Sequence, residues 1–547
     1  MAYKILWYSI PSLLDTSSGA AIRCRLMLSK LQERGIEVKI LTASVADDPK
    51  GFKETYDQLK SVMLQQLSEA KAAEPDKEKA ARLVPNDYVK FHINNMEYCM
   101  VLTDNLDTDD ITAAEQNRIY SHFIGMLESF QPDVVMGYSG DLFSVALRRE
   151  AQARGFQVVY ALCNGSHLSY SFSDCDMVFT TSKATQKLYK DKANIDVETV
   201  GNFIDPRMAL ANKEDRNPYY VTLINPIPAK GIAIFIKLIL AYYARHPDSK
   251  QQFLIVKSRG NFANIMHNLH DANGALLLGG TSEAGNNEAA REMEILQALP
   301  MIDLAEHTRN ISEVYALTKV LVAPSLWHES WGRVATEATL NGIPVLATDN
   351  GGLPEAMGGA GVGGLVLPIP KSCEKDFYCL PTDEEIAPWV DALEQLLEED
   401  WSERCQQAAE INSIDKSVDR LYNILLPYLK KGSAHKKPFG PNSAYHNAPF
   451  LAEHARQVKE SFLKAQAEAQ HNGGVPDFKT AAEGGDSNAG GGALGGDTAL
   501  QSTVQSTVQP TVVAPQAPSA ATKLQVQRPQ STHGRGQNNK KKNKKRR

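Results

Sequence analysis

Two glutamates separated by seven residues are the most informative chemical feature of the sequence. Glu329 lies in a loop after a predicted strand that ends at Ala323, and Glu337 lies on the second turn of a helix that is predicted to begin near Gly332. The unpaired N–H groups of that helix start, with close backbone approach at Gly332, would suit a diphosphate. Carboxylates beside an anion site need uncharged donors, so we expect both glutamates to accept hydrogen bonds from sugar or ribose hydroxyls.

Two further segments belong to the same chemistry. Lys230 precedes Gly231 shortly after the predicted strand Tyr219–Ile224. Near the N-terminus, Gly19 and Ala20 follow a strand in a loop of small residues, which lets backbone N–H groups approach a ligand. A plain strand-to-helix turn would have the same sequence, so this second signal is weak by itself.

These motifs resemble the retaining group 1 glycosyltransferases, glycosyltransferase family four, which have the GT-B fold. The family signature is Glu, seven residues and Glu, followed by a Gly-Gly-Leu-Pro-Glu element, present here as Gly351–Glu355. The resemblance implies that Glu329 contacts the transferred sugar, Glu337 the ribose and Lys230 the diphosphate, with Glu329 and Lys230 essential for catalysis. It also implies a set of donor-binding neighbours: Ser330, Trp331, Gly332, Arg333, Gly19 and Ala20.

The sequence departs from the family at two positions. Many relatives carry an arginine a few residues before the lysine, whereas this chain has Asn225-Pro226, so Arg333 or Arg259 is a candidate for the missing charge. Relatives usually have a histidine after a middle strand of the first domain, and none stands at that point here. Three residues are therefore candidates for the acceptor side: Asp141, Asn164 and His167.

The alternation of strands and helices predicts an α/β fold with two Rossmann-like domains facing across a cleft. The first domain is predicted over 1–203, with a mostly helical insertion at about 46–95, and the second over 204–432, ending in helices near 384–398 and 402–430. A possible helical extension covers 433–470. Residues 471–547 are rich in Gly, Ala, Ser, Thr and Gln and end in a basic run, which predicts a disordered tail.

Composition points to a soluble intracellular chain. The hydrophobic fraction is 43%, the formal net charge is −6, and the seven cysteines have no CxxC spacing, which favours reduced thiols over disulfides or a zinc site. No export signal or apolar run long enough to span a membrane is visible. We expect a cytoplasmic location, with peripheral contact to the inner face of a membrane left open because the basic tail would attract anionic lipid or another polyanion. The tail lacks interleaved aromatics, so no specific nucleic acid is expected.

The predicted activity is a metal-independent, retaining transfer of a sugar from a nucleotide-diphosphate sugar to a saccharide or lipid-linked acceptor, as in polysaccharide biosynthesis. No cofactor besides the donor substrate is expected. The pair Asp174 and Asp176 has the spacing of a metal-binding motif from a different glycosyltransferase fold, and we interpret it as coincidence. Two alternatives stay open: a sugar-nucleotide epimerase or hydrolase of the same fold, and a noncatalytic sugar-nucleotide-binding protein.

Overall fold

The structure is a computed structural model that describes residues 2–166, 172, 174–258, 260–279, 285, 287–308, 310–434 and 526–527. Contacts group the chain into two compact units. Within the described residues, the first unit comprises 2–161, 172, 174–178 and 422–434, and the second comprises 162–166, 526–527 and the described parts of 179–421. The domain boundaries inferred from the sequence stay predictions.

An eight-stranded sheet is built from the first half of the chain, in the order β3-β4-β2-β1-β5-β6-β7-β8. All of β1 except its first residue is buried, as expected for a central strand of a parallel sheet. Neighbours β1–β2, β1–β5, β2–β4, β5–β6 and β7–β8 run parallel. The strands are β1 (Lys4–Pro11), β2 (Glu37–Val45), β3 (Tyr88–Ile93), β4 (Met96–Val101), β5 (Val134–Gly137), β6 (Gln157–Ala161), β7 (Met177–Thr180) and β8 (Glu198–Thr199).

The insertion after β2 differs from its prediction at one end. It begins with helices, as expected, but β3 falls inside the predicted helical stretch and forms an antiparallel hairpin with β4. In β3 the side chains of Val89, Phe91 and Ile93 are buried in alternation, which is the two-residue period of a strand. Asn94 and Asn95 form the turn, both with the positive φ that tight hairpin turns require.

A seven-stranded sheet is built from the second half, in the order β14-β13-β12-β9-β10-β11-β15. All recorded pairs are parallel except β11–β15. Strand β11 was not predicted, because Asp303 interrupts its apolar run; in the fold this buried carboxylate accepts a hydrogen bond from Tyr220 Oη at 2.7 Å. The strands are β9 (Tyr220–Ile224), β10 (Phe253–Val256), β11 (Ile302–Ala305), β12 (Thr318–Ala323), β13 (Val345–Thr348), β14 (Gly364–Leu367) and β15 (Val526–Gln527).

Helices connect the strands and cover the sheets. The single helix predicted at 402–430 is two helices, since the chain breaks at Asn412 and Ser413. The helices are α1 (Gly19–Glu33), α2 (Pro49–Ala73), α3 (Lys77–Arg82), α4 (Ala113–Phe130), α5 (Leu142–Ala153), α6 (Lys183–Ala193), α7 (Pro206–Ala209), α8 (Ile232–Arg245), α9 (Phe262–Asn268), α10 (Glu288–Ala298), α11 (Ile311–Leu317), α12 (Arg333–Leu340), α13 (Leu353–Ala356), α14 (Asp383–Glu398), α15 (Ser402–Ile411) and α16 (Ile414–Ala434).

Each sheet contains a point where the direction of its connections reverses. In the first sheet, β1 connects to β2 on one side, while β5 lies on its other side. In the second sheet the same reversal separates β9 from β12. Open α/β sheets bind ligands beyond the carboxyl ends of the strands at such points. We call the loops after β1 and β5 the first edge, and the loops after β9 and β12 the second edge.

The C-terminal segments fall mostly beyond the described residues. Helix α16 extends to Ala434, and the rest of the predicted extension, 435–470, lies outside the described residues. The predicted disordered tail, 471–547, also lies outside them, except that Val526 and Gln527 pair with Ala305 and Leu304 as a short antiparallel strand. Of the helices the structure describes, none is both long and apolar enough to cross a bilayer.

Candidate functional site

The second edge is formed by two loops that are joined through their backbones. After β9, the chain passes through a short 3-10 turn, Pro228–Lys230, before Gly231 begins α8. After β12, the backbone N–H groups of Leu326 and Trp327 donate to the carbonyl of Ala229 at 2.9 and 3.3 Å. The loop that carries Glu329 is therefore fixed against the turn that carries Lys230.

Lys230 and Glu329 meet directly at the second edge. The Lys230 ammonium donates a hydrogen bond to Glu329 Oε1, and Ser325 Oγ donates to the same oxygen at 2.6 Å. The side chain of Glu329 is only 11% exposed, and that of Lys230 is 23% exposed. Burial would raise the pKa of Glu329, but the charge of Lys230 and the hydrogen bonds from Lys230 and Ser325 outweigh it and lower the pKa. Glu329 is therefore ionised at neutral pH.

Glu337 is held by a second pair of donors. On α12, Arg333 Nη2 donates to its Oε1 at 2.9 Å, one helical turn away, and Tyr315 Oη donates to its Oε2 at 2.9 Å. Tyr315 is fully buried, and burial together with the Glu337 charge raises its pKa well above the ordinary value, so the phenol keeps its proton. Both carboxylate oxygens of Glu337 thus have a fixed orientation.

The Gly-Gly-Leu-Pro-Glu element supports the Glu329 loop from behind. The N–H of Gly352 donates to the carbonyl of Glu329 at 2.7 Å. A Cβ on Gly351, which has a φ of +61°, would lie 2.2 Å from that carbonyl oxygen, so only glycine permits this packing. Gly332, with a φ of +95°, precedes α12 and packs closely on Leu353. Within the second unit, the Glu355 carboxylate accepts from the N–H groups of Lys183 and Ala184 at the start of α6.

Three polar atoms at the second edge are buried without a partner among the residues the structure describes. They are Asn225 Oδ1, Ser330 Oγ and Arg333 Nη1. Leaving such an atom unpaired costs about 1–3 kcal/mol, a cost that a ligand with matching groups would remove. Asn225, in the segment where the sequence lacks the family arginine, has a φ of +64°.

Trp331 packs inside the protein at the start of α12. Its side chain is 7% exposed, belongs to the hydrophobic core around α12, and donates from Nε1 to Thr336 Oγ1 at 2.9 Å. The ring therefore supports the start of α12 from within, and donor binding at Trp331 stays a prediction.

The first edge carries the remaining predicted residues of the first unit. Gly19 and Ala20 begin α1, whose N-cap Ser18 accepts from the N–H of Ala21 at 3.4 Å. Asp141 is the N-cap of α5 and accepts from the N–H of Ser144 at 2.8 Å and from two serine hydroxyls, those of Ser139 and Ser144, at 2.7 Å each. Asp141 therefore has a structural function as a helix cap, which sequence inspection did not reveal.

Ser139 at the first edge adopts a strained conformation. Its φ is +133°, which is rare for any residue except glycine. Three contacts hold it: its N–H donates to Tyr160 Oη at 3.2 Å, its carbonyl accepts from Arg148 Nη1 at 3.2 Å, and its hydroxyl donates to Asp141. Strain maintained by several contacts is typical of functional loops.

The remaining candidates are Asn164 and His167 for the acceptor side and Arg259 for the missing charge. Asn164 is exposed and uses Oδ1 to accept from the N–H and hydroxyl of Ser166, which is a local turn. His167 and Arg259 lie outside the described residues. The structure therefore adds no ligand-directed geometry for these three residues.

The Asp174 and Asp176 pair is engaged in structural contacts. Asp174 Oδ1 accepts from Arg149 Nε at 3.1 Å, and Asp176 Oδ2 accepts from the N–H of Val158 at 2.7 Å. Across the described residues, no group of three or more His, Cys, Asp or Glu side chains is arranged to hold a metal ion.

Sequence reasoning missed three residues at the second edge: Ser325, Trp327 and Tyr315. Ser325 and Trp327 lie inside the recognised motif, but their contacts with Glu329 and Lys230 depend on the loop conformation. Tyr315 is 22 residues before Glu337 on a different helix.

Comparison with known proteins supports the predicted family. Residues 236–375 match the family model described as glycosyl transferases group 1. This segment contains both glutamates and Gly351–Glu355, and it begins just after Lys230. The D-inositol 3-phosphate glycosyltransferase of Corynebacterium jeikeium (strain K411) is 27% identical over 176 residues, which are 31% of this chain and 33% of that protein. The namesake protein of Corynebacterium aurimucosum is 29% identical over 130 residues, which are 23% of this chain and 27% of that protein.

The match to these two curated relatives spans a third of their length or less. Solved structures resemble the chain over a longer range. A glycosyltransferase from Rickettsia africae ESF-5 covers 78% of this chain and 99% of its own, with a TM-score of 0.51 and 13% identity. The pneumococcal O-GlcNAc transferase GtfA, solved with UDP and GlcNAc, has the same coverage, with a TM-score of 0.50 and 11% identity. The α/β fold with two parallel-sheet halves and the resemblance to the group 1 glycosyltransferases are thus confirmed.

Proposed function

We propose that this chain is a retaining glycosyltransferase that transfers a sugar from a nucleotide-diphosphate sugar to a saccharide or lipid-linked acceptor. The observation that carries the proposal is the juxtaposition of Lys230, Glu329 and the start of α12 at the point where connections reverse in the second sheet. The relatives that match part of the chain are named for sugar transfer, in agreement with this proposal.

The diphosphate of the donor would bind between Lys230 and α12. The ammonium of Lys230 and the N–H groups in the first turn of α12 supply positive potential from two sides. As the bond between the sugar and the diphosphate breaks, negative charge grows on the leaving phosphate, and these fixed groups stabilise it without reorganising. This arrangement supplies the charge neutralisation that a metal ion provides elsewhere, so we propose a metal-independent reaction.

Glu329 would orient the transferred sugar. In the structure its carboxylate is ionised, and its Oε1 accepts from both the Lys230 ammonium and Ser325 Oγ. When the donor binds, its phosphate oxygens can accept from Lys230 and its sugar hydroxyls can donate to Glu329, so both charged groups keep partners. Glu337, already oriented by Tyr315 and Arg333, would accept from the ribose diol.

The transfer step needs no protein nucleophile in this proposal. The acceptor hydroxyl oxygen forms a bond to the anomeric carbon on the face from which the diphosphate leaves. The bond between the anomeric carbon and the phosphate oxygen breaks, and its electron pair remains on the diphosphate. The acceptor proton passes to that leaving oxygen, so charge and atoms balance and the anomeric configuration is retained.

Two experiments test the proposal in order. Thermal-shift screening with UDP, GDP and ADP should reveal one nucleoside diphosphate that raises the melting temperature, because a ligand that binds the folded state stabilises it. The matching nucleotide sugars, presented with candidate acceptors and excess EDTA, should then yield a product with the donor's anomeric configuration in its NMR spectrum. An inverted product contradicts retention, and loss of activity with EDTA that added metal restores contradicts metal independence.

The alternatives give different products from the same incubations. A hydrolase releases free sugar without any acceptor, and an epimerase converts the nucleotide sugar into an isomer. Two departures from the family favour a noncatalytic binder: the missing histidine of the first domain, and the missing arginine near Asn225, which removes a charge from the diphosphate site. Such a protein would bind the nucleoside diphosphate in calorimetry and turn over no donor.

The location of the reaction is part of the same proposal. A cytoplasmic enzyme with a lipid-linked acceptor would work at a membrane surface, where the basic run at 540–547 could contact anionic lipid. Sedimentation with vesicles should show binding that depends on anionic lipid and is lost when these basic residues are removed.

A further inference from the structure

Trp327 is a large aromatic residue that the fold leaves exposed beside the second edge. Its relative exposure is 48%, whereas the neighbouring Leu326 and Trp331 are each 7% exposed. The Lys230 ammonium lies 4.8 Å from the centroid of its ring, within the range of a cation–π interaction. The ammonium therefore contacts two groups of opposite kind, the carboxylate of Glu329 and the face of an indole.

The position of Trp327 is fixed by its backbone. Its N–H donates to the Ala229 carbonyl, in the residue just before Lys230, and its own carbonyl accepts from Asn350 Nδ2 at 2.8 Å. Because these bonds tie the loop to the turn that carries Lys230, the indole and the ammonium are held on adjoining pieces of backbone. The contact between them follows from the loop architecture.

We propose that Trp327 is a positioning residue that holds the Lys230 ammonium over its ring so that the ammonium stays directed at the leaving phosphate. This inference rests on the proposed function. Glu329 cannot perform this task throughout the reaction, because the proposal requires its carboxylate to accept from sugar hydroxyls once the donor is bound. The indole N–H also interacts with the Glu329 carboxylate, but the attraction of the ring face for a cation persists when Glu329 turns to the sugar.

The attraction also has a suitable size. Cation–π contacts contribute modestly at exposed sites and more when water is excluded, which corresponds to a roughly 3- to 30-fold effect on a rate constant. The ring presents no hydrogen-bond acceptor, so it orients the ammonium without neutralising its charge. A second carboxylate in the same place would bind the lysine more tightly and compete with the phosphate.

The test separates the π face from the bulk of the side chain. Trp327→Phe keeps an aromatic face, and Trp327→Leu keeps an apolar side chain without one. Both are made in the full-length chain, with Lys230 present and with Lys230→Met, and kcat and KM are measured with the nucleotide sugar identified in the thermal-shift screen. Tyr219→Leu, which removes another exposed aromatic ring from the second unit, is the control for general effects.

We expect Trp327→Leu to lower kcat by roughly 3- to 30-fold with little change in donor KM. Trp327→Phe should retain most of the wild-type kcat, and Tyr219→Leu should leave kcat unchanged. In the Lys230→Met background, Trp327→Leu should have no further effect. Two results overturn the inference: an equal loss of kcat in Trp327→Phe and Trp327→Leu, or an undiminished loss for Trp327→Leu in the Lys230→Met background. Either result indicates that the ring packs or stacks on the sugar instead.

Calorimetry with the same nucleoside diphosphate repeats the comparison where turnover in the Lys230→Met chains is too slow to measure. There, Trp327→Leu should weaken binding only when Lys230 is present, and weakening in both backgrounds contradicts the inference. If Lys230→Met itself changes neither kcat nor binding, the proposed function fails. If Lys230→Met is impaired and Trp327→Leu is not, only the role of Trp327 fails.

Discussion

The first and second edges have the same topology but carry different kinds of side chains. Both lie where the connections of a parallel sheet reverse, between β1 and β5 and between β9 and β12. The second edge brings together two cations and two carboxylates, in the pairs Lys230–Glu329 and Arg333–Glu337. The first edge has small and hydroxyl-bearing residues around the strained Ser139, and its carboxylate, Asp141, caps a helix.

The fold provides two edges of equivalent topology, and their side chains differ in charge. A diphosphate needs fixed positive charge, and a polyhydroxylated sugar needs ionised acceptors, which the second edge supplies together. A neutral hydroxylated acceptor needs neither, which suits the first edge. The following predictions test whether the two edges really differ in this way.

The largest expected effect comes from removing the cation at the second edge. Lys230→Met should lower kcat by about 100- to 1000-fold, the range found when one stabiliser of developing charge is lost. Steady-state kinetics with the identified donor measure this loss. A kcat within threefold of the wild type would contradict the claim that the positive charge of the second edge acts in the reaction.

The same variant should be less stable, because Glu329 stays buried without its cation. We expect the free energy of unfolding to fall by about 2–3 kcal/mol at pH 7, less than for a fully buried pair because Lys230 is 23% exposed. The pKa of Glu329 is lower in the folded wild type than in the unfolded chain, which stabilises the fold at any pH above the pKa of the unfolded chain. This contribution is lost as the pH falls through the pKa that Glu329 has in the folded protein. Urea unfolding should therefore show a difference between the chains that shrinks in acid.

A somewhat smaller effect is expected when the charge of Glu329 is removed and its shape is kept. Glu329→Gln should lower kcat/KM by about 10- to 100-fold, because a hydrogen bond to a charged acceptor contributes a free energy that corresponds to this range. Asp141→Asn is the matched change at the first edge. It should leave kcat/KM for the donor within about threefold of the wild-type value. Equal losses from the two substitutions would contradict the assignment of the edges.

Backbone packing at the second edge can be tested apart from charge. Gly351→Ala places a Cβ against the Glu329 carbonyl in a left-handed conformation and should lower the free energy of unfolding by about 2–4 kcal/mol. Gly361→Ala is the matched control, since Gly361 has a φ of +76° and open space around it, and it should cost only about 1–2 kcal/mol. Urea unfolding measures the free energy of unfolding of both variants. Equal losses would mean that the packing of Gly351 against the Glu329 carbonyl adds nothing to stability.

A smaller effect is expected from the second carboxylate of the edge. Tyr315→Phe removes one hydrogen bond to Glu337 and keeps the buried ring, so donor KM should rise by about 3- to 10-fold with kcat nearly unchanged. A fall in kcat with constant KM would show that Glu337 acts in the transition state and not in ribose binding.

The smallest effect should come from the first edge. Asp141→Ala removes the α5 cap, which should cost about 1 kcal/mol of stability, and it should raise acceptor KM without changing nucleoside diphosphate affinity. Calorimetry and acceptor titrations separate these quantities. Weaker nucleoside diphosphate binding would mean that the first edge also contacts the donor.

The sequence predicted the parts of the molecule that are encoded locally. The alternation of buried strands and helices predicted both sheets, and the spacing of Glu329, Gly332 and Glu337 predicted a loop and helix start at the second edge. Strands β3, β4 and β11 were missed, the first two because they follow a long polar helix, the third because the carboxylate of Asp303 interrupts its apolar run and is bound by Tyr220 from another strand, β9. Tyr315 and the ring of Trp327 were missed for a related reason, because their contacts with Glu337 and Lys230 depend on how separate segments pack.

A crystal structure with the nucleoside diphosphate selected by thermal shift would show where the diphosphate binds. We expect phosphate oxygens within about 3.5 Å of Lys230 Nζ and of the first N–H groups of α12, with the ribose on Glu337. A diphosphate bound elsewhere, with the Lys230–Glu329 pair intact and the start of α12 unoccupied, would contradict it.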